Sequence, residues 1–256
     1  MLPEAMLASL PLALALAAPP CGLPPLPVGA APWAPGETLT YDLDLLGAVK
    51  AGTLQLSVER PISGGQILTL RARARSEVGS LMRLAGVALS WIDARTLLPE
   101  RYREEAEQDG VHKLGDVRLA PPAPEVTIAY TVDGKTSSAS YPREGDVLDA
   151  LSAVYRLRAA KLAPGDRFCF DLVARGRYWR LEATVAPKAE KVDTAVGRLE
   201  TLRVDALAHK AGDGKPPTPV HLWISTDPAR LLVAVVTEID AGPVRAMLAS
   251  ARGTRR

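Results

Sequence analysis

From Glu37 onward the chain alternates apolar and polar residues with a period of two. Leu39, Tyr41, Leu43 and Leu45 fall on one side of an extended segment, and Thr38, Thr40, Asp42 and Asp44 on the other, as in a half-buried strand. Gly47 interrupts the pattern. It resumes with Leu54, Leu56 and Val58 inward, turns at Pro61–Gly65, and continues with Leu68, Leu70, Ala72 and Ala74 inward. Three strands with one apolar face and short connections make a meander, and a meander of this width curls. Val87, Leu89 and Trp91 predict a further inward-facing strand. Gly79–Gly86 reads as a loop or a helical turn, either folded over the mouth of a barrel or buried as a connector. Glu100–Glu107 is polar on both faces, so it is either a charge-protected edge or a strand lining a wet cavity. Val111–Leu119 and Val126–Val132 complete this half, with Asp133–Gly134 as a hairpin turn.

The period then changes. Val147, Leu148, Leu151, Val154 and Tyr155 lie at the i, i+3, i+4, i+7 spacing of one helical stripe. Asp146 stands where an N-cap belongs, and Pro164–Gly165 follows Lys161 as a stop. The spacing predicts one amphipathic helix over about 146–161. Alternation returns at Phe168 and Phe170. It runs on through Trp179–Val185, Leu202–Ala206, Val220–Ile224 and Leu231–Val236, with a tight turn at Arg175–Gly176. The chain therefore reads as mainly β. The expected architecture is a curved antiparallel meander forming a half-open β-barrel of about a dozen strands around one central helix, with room left inside. No repeat and no internal break divides residues 36–251, which form a single domain; residues 252–256 are a basic tail.

Residues 1–35 differ in kind. They hold no Lys or Arg, an apolar run from Met6 to Ala18 and a Pro-rich stretch to Pro35. The run has the length of a signal-peptide core and falls short of the roughly 20 residues of a membrane span, so 1–35 reads as a signal peptide and Pro-rich linker. This places the protein in the periplasm or cell envelope, with no transmembrane helix in the mature chain. Cys21 sits where a lipid-modified cysteine would, while Val28–Gly29–Ala30 fits ordinary cleavage. Plain export is the preferred reading. Either route leaves only Cys169 as a thiol in the body and no intramolecular disulfide there.

A formal charge of +2, with 47% hydrophobic and 23% charged residues, gives an ordinary globular balance and no electrostatic case for nucleic acid. The nucleophile-elbow, phosphate-loop, dinucleotide, H-E-x-x-H and C-x-x-C patterns are all missing. The three histidines, His112, His209 and His221, lie too far apart in sequence to suggest a metal centre, and no cofactor is expected. Trp91, Trp179 and Trp223, with Tyr155 and Arg158 on the helix, are the candidate lining of a ligand pocket. Arg71, Arg73 and Arg75 form a basic stripe that could take phosphate or an acidic glycan. Asp42 and Asp44 share a strand face, and with Glu104 and Asp149 they are the carboxylates a glycan-processing enzyme would use.

Gly36-Glu-x-Leu-x-Tyr41-Asp42, Lys50-Ala-Gly52, Asp149-x-Leu-Ser152 with Tyr155 and Arg158, Trp223-x-x-x-Asp227 and Gly242-Pro-Val occur in an order that resembles a family of exported bacterial proteins, a domain of unknown function of the cell envelope. The likeness spans roughly Pro35 to Ala251, although Leu231–Leu232 stands where the family has a proline. It implies a curved, barrel-like sheet with a helix, similar in outline to periplasmic lipoprotein and lipid carriers, and it brings no catalytic residues. Three readings of function follow. The first is a non-enzymatic envelope protein binding a lipid or other amphipathic ligand, with envelope proteins as possible partners. The others are a carboxylate glycan-processing enzyme and a structural scaffold.

Overall fold

The structure, a computed structural model, describes residues 22–29, 31–45, 47, 49–59, 66–78, 82–120, 123–239 and 242–255. The run Met6–Ala18, the candidate lipidation site Cys21, the expected turn at Pro61–Gly65 and the start of the Gly79–Gly86 segment lie outside these residues.

The first half is a continuous meander. It comprises β1 (Thr38–Leu45), β2 (Val49–Val58), β3 (Ile67–Val78), β4 (Met82–Asp93), β5 (Pro99–Gln108), β6 (Val111–Arg118), β7 (Glu125–Val132) and β8 (Lys135–Pro142). A three-residue strand, β9 (Val147–Asp149), leads directly into α1 (Ala150–Ala159). The second half follows as β10 (Arg167–Ala174), β11 (Arg177–Val185), β12 (Glu190–Thr194), β13 (Gly197–Lys210), β14 (Thr218–Ser225), β15 (Leu232–Ile239) and β16 (Gly242–Arg252). All sixteen strands belong to one sheet, ordered β8-β7-β6-β5-β4-β3-β2-β1-β16-β15-β14-β13-β11-β10-β9, with β12 paired to β13. Every pairing is antiparallel except β9 with β10. The sheet is mainly β, strongly curved and not closed; its two ends, β8 and β9, are joined in sequence by residues 143–146.

Alternation reads the inner face of most strands correctly. Leu39, Tyr41, Leu56, Val58 and Leu70 from the first half are buried with Phe168, Phe170, Leu181, Val185, Val204 and Ile224 from the second, around Leu151, Tyr155 and Leu157 of α1. The helix thus lies within the curl, and the space expected to stay open inside is taken by α1 and the side chains packed on it.

Beyond this main core the sheet overlaps itself. Phe168, Phe170, Leu181 and Ala183 face the main core, whereas Val173 and Tyr178, at the opposite phase of β10 and β11, are buried with Tyr102, Val117, Val126 and Ile128. Successive strand residues point to opposite faces. The concave face of β5–β7 therefore covers the far side of β10 and β11, and the sheet is a roll with one end tucked inside the other. Face-on packing of the two ends lets the sheet bury both without closing the ladder.

Several expectations change. The helix begins at Ala150, and its N-cap is Asp149 rather than Asp146. Asp149 accepts from the backbone N–H groups of Leu151 and Ser152, and Ser152 Oγ accepts from the Asp149 N–H, forming a capping box. Val147 and Leu148 are drawn into the ladder with β10 instead. The strand containing Trp91 has the opposite phase to that expected. Ser90 and Ile92 are fully buried, because Ser90 Oγ donates to Asp149 at 2.6 Å, and Trp91 faces outward beneath the guanidinium of Arg101, 5.4 Å from its ring centre. From Met82 onward the Gly79–Gly86 segment belongs to β4 rather than to a loop or a helical turn. The polar strand β5 is not an edge either; it runs between β4 and β6, and the exposed edge strand is β8. Sixteen strands stand where about a dozen were expected: β8 and β12 carry too little apolar alternation to register, the β9 residues read as the start of the helix, and β16 lies beyond the last alternating stretch.

Residues upstream of the expected domain start also pack on the body. Trp33 is buried against Tyr155 with ring centres 5.2 Å apart, and Leu23 and Leu26 lie on the main core. Cys169 is disulfide-bonded, which corrects the expectation of a lone thiol in the body.

Candidate functional site

The break in the ring forms a concavity built from several elements. It is lined by Cys169, Phe170 and Asp171 of β10, by Glu144, Gly145 and Asp146 of the β8–β9 connection, by Gly22 and Leu23 of the N-terminal strap, and by Arg180 of β11. The cavity measures about 480 Å³, within the roughly 300–1,000 Å³ of small-molecule sites. Its position follows from topology. The chain leaves β8, cannot add β9 to that edge, and crosses over to pair β9 with β10, leaving a gap that the strap only partly covers.

The lining is mixed in character. Asp171 is buried and accepts from the Tyr178 hydroxyl at 2.9 Å and from Arg180 Nη1 at 2.9 Å. Burial, followed by the Asp171 carboxylate, pushes the Tyr178 hydroxyl well above its usual range, so it stays a proton donor. The hydrogen bond to Asp171 likewise raises Arg180 and keeps it charged. This pair neutralises itself. Glu144 and Asp146, both exposed, add acidic groups to a lining that also contains the apolar Leu23 and Phe170. A site of this kind suits a molecule with an apolar part and a cationic or donor-rich head. The described residues contain no His/Cys/Asp/Glu group able to hold a metal.

The aromatic set expected from sequence is not gathered here. Tyr155 and Arg158 share a buried cluster: the Arg158 guanidinium stacks 5.0 Å from the Tyr155 ring and forms a two-pronged pair with Glu37 at 2.6 and 3.0 Å. It also donates to the carbonyls of Ala229 and Arg230. Burial lowers the Arg158 pKa, but Glu37 outweighs it and the guanidinium stays charged. Burial raises the Tyr155 hydroxyl, against the opposing influence of the Arg158 guanidinium beside it. Trp179 Nε1 donates to the Ala174 carbonyl, Trp223 Nε1 donates to Glu190, and Trp91 lies outside. None of the five lines the seam.

The candidate carboxylates are likewise dispersed. Asp42 is exposed beside Lys50, Asp44 accepts from Arg245 Nε at 2.8 Å, Glu104 is held by backbone N–H groups, and Asp149 caps α1 in the interior. They do not meet in a cleft, so the acid/base pair that glycan hydrolysis requires is not assembled from them. Of the arginine stripe, Arg71 is paired with Glu59, and Arg75 borders a shallow surface hollow with Lys50 and Thr53. The seam itself was not legible in the sequence. Its acidic residues sit in Glu144-Gly-Asp146, which reads only as a helix start.

Comparisons place this geometry in a family. A family model described as a protein of unknown function, DUF3108, matches residues 40–249. The chain belongs to the DUF3108 family. No curated protein matches its sequence. Among solved structures it is similar to a β-barrel-like protein of the domain of unknown function DUF1849 from Brucella abortus, with a TM-score of 0.60, 13% identity, and 88% of this chain and 100% of that chain covered. That likeness supports the fold alone. Two further structures superpose more loosely. One, from Bacteroides fragilis, is described as an exported protein with a YmcC-like fold (TM-score 0.39, 10% identity, 87% and 98% covered). The other, from Parabacteroides distasonis, is described as a lipoprotein (TM-score 0.36, 9% identity, 87% and 97% covered). No helix among the described residues is long and apolar enough to cross a membrane.

Proposed function

We propose that this DUF3108 protein is an exported, non-catalytic binding protein of the bacterial cell envelope, and that it takes an amphipathic ligand at the seam of its rolled sheet. The observation carrying this reading is the roughly 480 Å³ cavity, whose lining combines the apolar Phe170 and Leu23 with the acidic Glu144 and Asp146. The export-like character of residues 1–35 supports the compartment. Carriage of a lipid deep inside the barrel is disfavoured, because α1 fills that volume with packed side chains. What remains is a rim site for a single chain or a short lipidated peptide, held through its headgroup. A scaffold role has less support. Among the described residues the large exposed apolar side chains, Val28, Val49, Val87, Val132, Val196 and Leu207, fall on separate segments of the chain.

Native mass spectrometry and lipid extraction of protein purified from its own host test the reading. A co-purifying amphiphile is expected on the native chain and lost in Glu144→Lys/Asp146→Lys, a charge reversal at two exposed positions. Bare protein in both samples, or equal occupancy in both, would overturn it.

A further inference from the structure

The N-terminal strap is built into the fold, and its attachment bears on how the chain is processed. Residues 22–29 and 31–33 pack against the body of the roll. Pro24 and Trp33 are buried, and Leu23 and Leu26 pack on the main core. Two backbone hydrogen bonds fix the strap. The Lys161 N–H donates to the Pro25 carbonyl at 3.1 Å, and the Cys169 N–H donates to the Gly22 carbonyl at 3.3 Å. Cys169 is disulfide-bonded, and the chain has two cysteines.

We infer that Cys169 pairs with Cys21, and that this bond staples the strap over the seam. The geometry points to this partner. Cys21 is the other cysteine of the chain, and its sequence neighbour Gly22 accepts the Cys169 N–H through its carbonyl at 3.3 Å. Disulfides bridge Cα atoms about 4.4–6.8 Å apart. Forming the bond removes one hydrogen from each thiol, two protons and two electrons in all. The electrons pass to the disulfide of a dithiol oxidoreductase in an oxidising compartment, and that protein leaves as the dithiol.

The consequence concerns modification. A sulfur held in a disulfide cannot carry the thioether-linked diacylglycerol of a lipoprotein, so Cys21 is a structural cysteine rather than a lipid anchor. Cleavage near Val28–Gly29–Ala30 would also discard packed residues and the staple with them. The mature chain therefore begins upstream of Cys21, with the strap retained as part of the cavity lining. This inference stands whether or not the cavity holds a ligand.

The test is non-reducing peptide mapping of full-length protein matured in a bacterial envelope, with intact mass measured before and after reduction. No Lys or Arg precedes Lys50, so trypsin leaves Cys21 on the N-terminal peptide, and Cys169 falls on Phe168–Arg175. The expected result is these two peptides linked to each other, with an intact mass lower by the two thiol hydrogens. In Cys21→Ser the protein should stay in the soluble envelope fraction. Its Cys169 should become alkylatable, and limited proteolysis within 22–31 should quicken roughly tenfold as the strap opens locally. A diacylglyceryl adduct on Cys21, a mature chain starting after residue 21, two free thiols, or a Cys169-linked dimer would each overturn the inference. Because Cys21→Ser leaves the main core untouched, loss of fold would not obscure the wild-type mapping.

Discussion

The carboxylate of Glu104 on β5 accepts the backbone N–H of Gly176 in the β10–β11 turn at 2.7 Å, and that of Arg175 at 3.1 Å. It also accepts the Tyr102 hydroxyl at 2.9 Å. One side chain thus latches β5 to the β10–β11 turn in a sheet whose ladder is not closed. Hydrogen bonds to a charged group are worth about 1.5–3 kcal/mol, and removing the acceptor leaves its donors unmatched. Glu104→Ala is expected to cost about 3 kcal/mol in urea unfolding. Glu104→Gln, which keeps one carbonyl acceptor, should cost clearly less. Equal stability of wild type and Glu104→Ala would remove the latch.

Gly176 serves the same junction sterically. Its φ is +64°, and a Cβ there would lie 2.3 Å from the Tyr130 ring. Gly176→Ala combines left-handed strain with overlap and should cost about 2 kcal/mol or more. Tyr130→Ala in the same chain should recover the overlap part but not the strain. A double variant no better than the single one would contradict this contact.

Much of the roll was legible from period alone. Leu39 and Tyr41, Leu56 and Val58, and Leu202 and Val204 all face the core as alternation requires. The failures share a cause, which is that a distant partner overrides the local pattern. Ser90 is drawn inward by Asp149, 59 residues away, and reverses the phase of the Trp91 strand. Glu104 looks like surface charge until the Arg175–Gly176 turn reaches it. Asp146 and Asp149 are both plausible caps by position, and the clue that separates them, Ser152 three residues after Asp149, was present but outweighed by Val147 and Leu148. β8 has almost no apolar residues and is betrayed only by the Asp133–Gly134 turn before it. The seam cavity joins residues from four separate segments, and no local signal reports it.

Asp149 gives the protein a specific pH dependence. Burial raises its carboxyl from 3.8 to about 6, against the opposing hydrogen bonds from Ser90, Ser152 and Leu151. The folded state therefore binds this proton more tightly than the unfolded chain. The contribution favours folding below about pH 4 and is lost as pH rises through about 6. At 1.36 kcal/mol per pKa unit this amounts to about 3 kcal/mol. Asp149→Asn should flatten the difference in unfolding free energy between pH 4 and pH 7 relative to wild type. An unchanged slope would show that Asp149 stays ionised throughout.

The Arg158–Glu37 pair is fully buried and spans 121 residues of sequence. Breaking one side of such a pair strands a charge, so Arg158→Met should cost about 3–5 kcal/mol, whereas Arg158→Met with Glu37→Leu should recover most of it. Additive losses from the two changes would argue that each side chain acts independently.

Ligand binding at the seam is tested most directly by backbone amide shifts in solution, with octylamine as an amphipathic probe carrying a cationic head. Binding is expected to move the resonances of Gly22, Gly145, Asp146 and Asp171, and to leave those of Leu151–Leu157 and Ile92 in the interior unchanged. Shifts concentrated on α1 and the inner strands, or no saturable shifts at all, would contradict the account.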